Sequence, residues 1–164
     1  MSTLPERPAP DAVDPAETTL AILAALLGGR KVLGRDLDTR LDAHEMLLRG
    51  LPAAAFDALV GNLVVIDRSA SFYRALGMSL RTHQRHRESP AKALSPDQSG
   101  RAWKFAEILA RAIRAFGSQA EAEAWLDRPA IGLDQHRPLD LLATPAGQEL
   151  VEDYLSRLEY GVYT

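Results

Sequence analysis

The chain is divided at short intervals by residues that begin and end α-helices. Serine, threonine, aspartate or proline precedes most of the apolar segments, and glycine follows most of them. No segment alternates apolar and polar residues over the length of a β-strand. With 46% hydrophobic residues, the chain has enough apolar side chains to form a core. The sequence therefore predicts an all-α fold, a helical bundle with short connections.

Individual helices follow from the same signals. The predicted helices cover residues 15–27, 40–49, 53–60, 68–76, 80–88, 96–116 and 119–127, a single turn at 138–142, and a last helix from residue 145 towards the C-terminus. The predicted N-caps are Asp14, Asp67, Ser79, Ser95, Ser118 and Thr144, and the predicted terminating glycines are Gly28, Gly50, Gly61, Gly77 and Gly117. Residues 30–38 are predicted to be an irregular link.

The segment Gly77-Met78-Ser79 lies between two predicted helices. A tight turn containing glycine between two short helices is typical of a helix-turn-helix. We therefore divide the chain into a disordered leader (residues 1–13, three prolines), an N-terminal helical extension (14–50), a helix-turn-helix-like region (51–92) and a C-terminal domain (93–164). The extension is interpreted as an added dimerisation or docking element.

Charge is distributed unevenly along the chain. The net charge is −3, yet residues 68–104 contain eight basic and two acidic residues, a net charge of +6. A basic island in an acidic chain indicates a surface for a polyanion. A solvated helix face rich in arginine would give the same pattern, and the sequence leaves both interpretations open.

The second helix of the helix-turn-helix provides the candidate DNA-binding residues. Arginine and glutamine read guanine and adenine in the major groove, and hydroxyl side chains bind phosphates. The candidates are Ser79, Arg81, Thr82, Gln84, Arg85 and Arg87. The alternative is a degenerate helix-turn-helix that no longer binds DNA.

Several kinds of chemistry receive no support. The chain has no cysteine, which excludes disulfides and cysteine-ligated zinc. His83 and His86 have metal-ligand spacing, but neighbouring arginines would repel a cation, so a structural or phosphate-contacting role is predicted. No catalytic cluster, phosphate-binding loop or cofactor motif is present. Without a twenty-residue apolar run or a basic leader, a cytoplasmic protein that does not contact membranes is expected.

The chain carries a series of separate motifs between residue 49 and its last residue. They are Arg49-Gly-Leu-Pro52, Phe116-Gly117, Trp125-Leu-Asp-Arg-Pro129, Arg137-Pro-Leu-Asp-Leu-Leu142, Thr144-Pro-Ala-Gly147 and the final Tyr160-Gly-Val-Tyr-Thr164. In this order and spacing they resemble the Xre/MbcA/ParS toxin-binding domain of bacterial antitoxins, in its ParS-like branch. The resemblance covers roughly residues 45–164. By residue type alone, Trp125 and Leu126 are expected in the core.

The resemblance implies an antitoxin of a type II toxin–antitoxin system, which is not an enzyme and needs no cofactor. Its partner would be a RES-domain toxin that degrades NAD or uses it for ADP-ribosylation, and the antitoxin would occlude the toxin's active site. A homodimer within a hetero-oligomeric complex, repressing its own operon, is also implied. The candidate toxin-binding residues are Arg128, Tyr154, Arg157, Glu159, Tyr160, Val162, Tyr163 and Thr164. The tail could alternatively pack on its own domain.

Two other functional classes are considered. A stand-alone helix-turn-helix regulator that senses a small ligand would suit a polar C-terminus better than the two tyrosines and the valine found here. An enzyme would need convergent acid, base or metal-binding groups, and none is identifiable in the sequence.

Overall fold

The computed structural model describes residues 15–161, which form ten α-helices, one 3₁₀ turn and no β-strand. The predicted all-α class is therefore confirmed. The α-helices are α1 (Pro15–Leu26), α2 (Gly29–Leu33), α3 (Arg40–Arg49), α4 (Ala53–Asn62), α5 (Ala70–Leu76), α6 (Leu80–Arg87), α7 (Pro96–Phe116), α8 (Gln119–Leu126), α9 (Pro138–Leu141) and α10 (Pro145–Glu159), and the 3₁₀ turn is Ile131–Leu133. The predicted leader and the Asp14 cap lie outside the described residues.

Most predicted helix ends have the expected capping chemistry. Ser95 and Gln98 form a reciprocal capping box at the start of α7, where each side chain satisfies a backbone N–H of the other residue. Ser79, Ser118 and Thr144 accept hydrogen bonds from backbone N–H groups in the first turns of α6, α8 and α10. These caps satisfy donors that a helix leaves unpaired, which explains why the sequence signals locate the helices well.

Three predictions about where helices lie, begin or end are wrong. Part of the link predicted as irregular forms α2, which is too short for its apolar spacing to be recognised. Helix α4 continues through Gly61 to Asn62, since this glycine is exposed and its neighbours still form helical hydrogen bonds. Helix α5 is capped by Ser69 and not by Asp67, because the Ser69 hydroxyl accepts from the N–H of Phe72.

Helix α7 is the centre of the bundle and packs against α1, α3, α5, α8 and α10. Its 21 residues make it about 31 Å long at 1.5 Å per residue. Ala102, Ala106, Ala110 and Ala112 are completely buried, and side chains this small let neighbouring helices approach closely. One apolar core extends from Leu23 on α1 to residues of α10.

A buried carboxylate joins the C-terminal helices to the helix-turn-helix. Glu123 on α8 is completely buried. Its oxygens accept hydrogen bonds, each of 3.0 Å, from the successive backbone N–H groups of Val64, Val65 and Ile66. The Gln119 amide donates another at 2.8 Å. The loop between α4 and α5 is therefore held against α8 by one side chain.

A second polar contact joins the same two parts of the chain. Arg137, immediately before α9, forms ion pairs with Asp127 (3.0 Å) and Asp140 (2.7 Å) and donates a 2.6 Å hydrogen bond to the Ser71 hydroxyl on α5. The hydrogen bond from Arg137 lowers the pKa of Asp140, so this carboxylate stays charged at a lower pH than an ordinary aspartate. Helix α5 is thus tied to α9 as well as to α7.

We expect Glu123→Ala to lower the free energy of unfolding by about 3 kcal/mol or more, because it leaves buried N–H donors without an acceptor. Glu123→Gln should cost less, since one oxygen acceptor remains. The measurement is urea-induced unfolding followed by circular dichroism. Glu121→Ala, an exposed position on the same helix, is the matched control and should change stability by less than about 0.5 kcal/mol. Equal losses for Glu123→Ala and Glu121→Ala would contradict the assigned role.

Candidate functional site

Helices α5 and α6 form the helix-turn-helix around a turn that requires glycine. Gly77 has a φ of +64°, a conformation that side chains disfavour. A Cβ atom there would also lie 2.1 Å from Cδ of Arg101. Met78 is buried beneath the turn. The turn geometry therefore matches the prediction from the sequence.

Ser79 and Thr82 hold the start of the recognition helix α6. The Ser79 hydroxyl accepts from the N–H of Thr82 at 3.1 Å and donates to the Thr82 hydroxyl at 2.9 Å. Thr82 is half-buried. Both residues were predicted to contact DNA, and in the structure their hydroxyls are engaged in capping.

His83 fixes α6 onto the rest of the domain. Its side chain is buried, with Nδ1 at 3.0 Å from the Tyr73 hydroxyl on α5 and Nε2 at 3.0 Å from Asp57 on α4. Burial lowers the pKa of His83, and the hydrogen bond to Asp57 only partly opposes this shift. A structural role for His83 was one of the two roles predicted from the sequence, and these contacts assign it.

The outward face of α6 presents Arg81, Gln84 and Arg85, all of them exposed. Arg81 and Arg85 form no ion pair with any described residue. Arg87 differs, because its Nε lies 3.1 Å from the Asp57 carboxylate. Of the six predicted DNA-binding residues, three are therefore free on one face, two are engaged in capping, and Arg87 is in an ion pair.

Arginines outside the recognition helix extend the basic surface. Arg68, Arg74 and Arg101 line a groove of about 540 Å³ beside the turn of the helix-turn-helix. They belong to the basic island noted in the sequence, but no signal in the sequence indicated that they surround the turn. The arrangement suits a phosphate backbone, because arginine forms strong charge-assisted hydrogen bonds with phosphate oxygens.

On the C-terminal half, Tyr154 of α10 is part of an aromatic stack. Its ring lies 5.5 Å from the Trp125 ring at an interplanar angle of 12°, and the Arg157 guanidinium lies 5.9 Å from the centre of the Tyr154 ring. Gly132 also lies against Tyr154, since a Cβ atom there would be 2.2 Å from the Tyr154 ring. The predicted core position of Trp125 is confirmed, and Tyr154 is half-buried rather than free.

The structure describes three more of the predicted toxin-binding residues, Arg128, Glu159 and Tyr160. Glu159 pairs with Arg111 of α7 at 3.1 Å, so its carboxylate is engaged within the bundle. Arg128 is exposed after α8, and Tyr160 exposes 83% of its surface. Val162, Tyr163 and Thr164 lie outside the described residues.

Sequence reasoning missed the most exposed large apolar side chain of the described residues, Ile131, with 85% exposure. It lies in a loop closed by the hydrogen bond from Ala130 N–H to His136 C=O (3.1 Å). Asp134 and Gln135 have positive φ angles of 51° and 62°. Left-handed conformations at residues other than glycine are strained and are frequent at binding sites. No spacing pattern in the sequence marks this loop.

Enzyme chemistry finds no support in the part of the chain that the structure describes. A groove of about 840 Å³ there lies between α1, α3, α7 and α10. Two of the cations lining it are paired, Lys104 with Glu152 at 2.6 Å and Arg111 with Glu159 at 3.1 Å. No group of three histidine or carboxylate side chains within residues 15–161 is placed to hold a metal. None of the described helices combines the length and apolarity needed to cross a membrane.

Comparisons with known proteins match two consecutive segments of the chain. Residues 42–107 match the antitoxin Xre-like helix-turn-helix domain, and residues 111–161 match the antitoxin Xre/MbcA/ParS C-terminal toxin-binding domain. An Antitoxin Xre of Yersinia enterocolitica is 31% identical over 130 residues, covering 70% of this chain and 87% of the relative. An Antitoxin Xre of Photorhabdus laumondii is 27% identical over 120 residues, covering 73% and 79%.

The chain belongs to the Xre/MbcA/ParS family of antitoxins. The resemblance noted in the sequence is therefore confirmed. As a member of this family it is an antitoxin of a toxin–antitoxin system and not an enzyme.

Two histidines of α6, the buried His83 and the half-buried His86, predict how stability depends on pH. Burial lowers the pKa of both His83 and His86, while an unfolded histidine titrates near about pH 6.5. The unfolded chain therefore binds more protons at mildly acidic pH, and the folded state loses stability as the pH falls below that value.

We expect the free energy of unfolding to decrease between about pH 7.5 and pH 5.5, and this slope to become shallower in the double variant His83→Gln, His86→Gln. The slope is measured by urea-induced unfolding at a series of pH values. His44→Gln replaces an exposed histidine on α3 and should keep the wild-type slope. An unchanged slope in the double variant would show that these two histidines do not determine it.

Proposed function

We propose that this antitoxin neutralises a RES-domain toxin that uses NAD, by occluding the toxin's active site, and represses its own operon through α6. Membership of the family supports toxin binding, and the free cationic face of α6 supports DNA binding. Both proposed partners, DNA and an NAD-using enzyme, belong to the cytoplasm. Assignment to the ParS-like branch remains part of the proposal.

The assignment of a separate function to each segment of the chain is also a proposal. Residues 51–92 contain the DNA-binding helices, residues 93–164 the toxin-binding surface, and residues 14–50 an extension whose helix α1 packs on α7. The two family matches meet within α7, at residues 107–111. Helix α7 lies within residues 93–164, and it packs on α5 of the DNA-binding part as well as on α10.

The exposure of Ile131 is the main structural observation that supports the toxin-binding proposal. A strained loop displays this isoleucine next to Gly132, which packs on the Trp125–Tyr154 stack. Rigid aromatic rings with a neighbouring arginine and an exposed apolar side chain are typical of interface hot spots. Leu150, one turn before Tyr154 on α10, exposes 52% of its surface and enlarges the apolar area.

The C-terminal residues are proposed to enter the NAD-binding cleft of the toxin. Tyr160 follows the last residue of α10 and is largely exposed, and Val162, Tyr163 and Thr164 continue from it. A tyrosine ring can stack on surfaces that otherwise accept the rings of NAD, and Arg157 can pair with acidic groups at the mouth of the cleft. Glu159 is left out of this contact because of its ion pair with Arg111.

On the DNA side, we propose that a homodimer within the toxin–antitoxin complex binds two operator half-sites. A helix-turn-helix dimer places its two recognition helices in successive major grooves. Arg81, Gln84 and Arg85 would face the groove, while Arg87, held by Asp57, stays at the edge of the contact.

Two variants test the toxin-binding surface. Ile131→Asp should weaken binding of the RES-domain toxin by about ten-fold or more, the factor expected for loss of one buried apolar side chain. Deletion of residues 160–164 should restore NAD turnover in the complex at matched occupancy. Affinity is measured by calorimetry, and turnover by loss of NAD.

The matched control is Leu48→Asp, a similarly exposed leucine on α3 (71%), which should leave toxin affinity unchanged. Wild-type affinity of Ile131→Asp would place the interface elsewhere. If turnover stays suppressed without residues 160–164, the body of the antitoxin occludes the active site and the tail does not.

DNA binding is tested with the fragment upstream of the antitoxin's own reading frame. Loss of two phosphate contacts in Arg81→Ala, Arg85→Ala should reduce the slope of log affinity against log salt by about two units. Arg128→Ala, an exposed arginine of the C-terminal half, should not change it. An unchanged slope in the double variant would remove both arginines from the DNA interface.

A further inference from the structure

Leu80 is an exposed apolar residue at the start of the recognition helix. It is the first residue of α6 and exposes 52% of its surface. In a helix-turn-helix the N-terminal residues of this helix contact the edges of the bases. Other exposed leucines, such as Leu41 and Leu48 on α3, have no such position.

The surroundings of Leu80 favour a polyanion. It forms part of the wall of two grooves, of about 380 Å³ and 540 Å³. Arg68, Arg74, Arg87 and Arg101 line these grooves. A second copy of the chain docking through this face would place the arginines against their own copies, which repel each other. The positive charge of this face therefore favours nucleic acid, and not a second copy of the chain, as its binding partner.

Gln84 indicates which base pair lies next to Leu80. It lies four residues after Leu80, on the same strip of the helix surface, and it is exposed. Glutamine forms paired hydrogen bonds with adenine in the major groove, where the 5-methyl group of thymine is the apolar group for a leucine to contact. An A·T base pair presents both features.

We propose that Leu80 packs on the 5-methyl group of a thymine in each operator half-site, and that together with Gln84 it selects A·T pairs there. This inference rests on the DNA binding proposed above. Arg81 and Arg85, on the adjacent strip of α6, bind phosphates or guanine and supply affinity. The leucine contributes specificity, because it has no charge with which to bind the backbone.

The test begins with operator duplexes selected by the full-length antitoxin from a random-sequence pool. Each thymine of the selected half-site is then replaced in turn by uracil, which lacks only the 5-methyl group. At one position per half-site, the replacement should weaken wild-type binding by about four-fold, the contribution of one buried methyl group.

Leu80→Ala should bind the thymine and uracil duplexes equally. Leu80→Met, which keeps an apolar side chain, should retain a uracil penalty, and so should Gln84→Ala. Circular dichroism shows whether each variant is folded.

Four results would overturn the inference. In the first, replacing thymine by uracil does not change the affinity of the wild type at any position. In the second, Leu80→Ala keeps the full loss of affinity for the uracil duplexes. In both of these cases the protein has still selected a DNA site, so the proposed DNA binding stands. A protein that selects no sequence at all would remove both proposals. Weaker toxin binding by Leu80→Ala with unchanged DNA binding would assign Leu80 to the toxin interface instead.

Discussion

The structure depends on one buried carboxylate, that of Glu123. Placing a charge in the interior is unfavourable unless hydrogen bonds replace its hydration. Here three successive backbone N–H groups and the Gln119 amide supply them. The same contacts satisfy the amides of a loop that has no helix to pair them. As a result, α8 determines where the chain leaves α4 and enters α5, and hence where the helix-turn-helix lies on the bundle.

Other contacts also join the two parts of the chain. Helix α7 gives both halves a common core, and its buried alanines allow five other helices to pack around it. Arg137 adds a link between the start of α9 and α5. The candidate DNA-binding and toxin-binding surfaces share no residue. Helix α6 packs on α4, which leads into the loop held by Glu123, and α10 packs on α7. Residues of both parts of the chain thus belong to one continuous core.

Much of the fold is predictable because its signals are local. A cap residue and its partner are three positions apart, and a terminating glycine acts on the turn just before it. The recognition helix α6 was identified in this way, and Arg81, Gln84 and Arg85 lie on its outer face. Helix α2 was missed because five residues are too few to show a helical period. Ser69 was overlooked as a cap since Asp67, two residues earlier, has the same capping chemistry.

The sequence by itself determined the all-α class, the positions of most helices, the turn at Gly77, the basic island and the family. Only the tertiary structure decided which polar side chains are free. Glu159 and Arg87 look like surface charges in the sequence, but Arg111 and Asp57 engage them. Glu123 contacts Val64 across 59 residues of sequence, and the exposure of Ile131 depends on how its loop packs against α10. Periodicity and capping act within one turn of helix, whereas burial and long-range pairing exist only once distant segments have packed together.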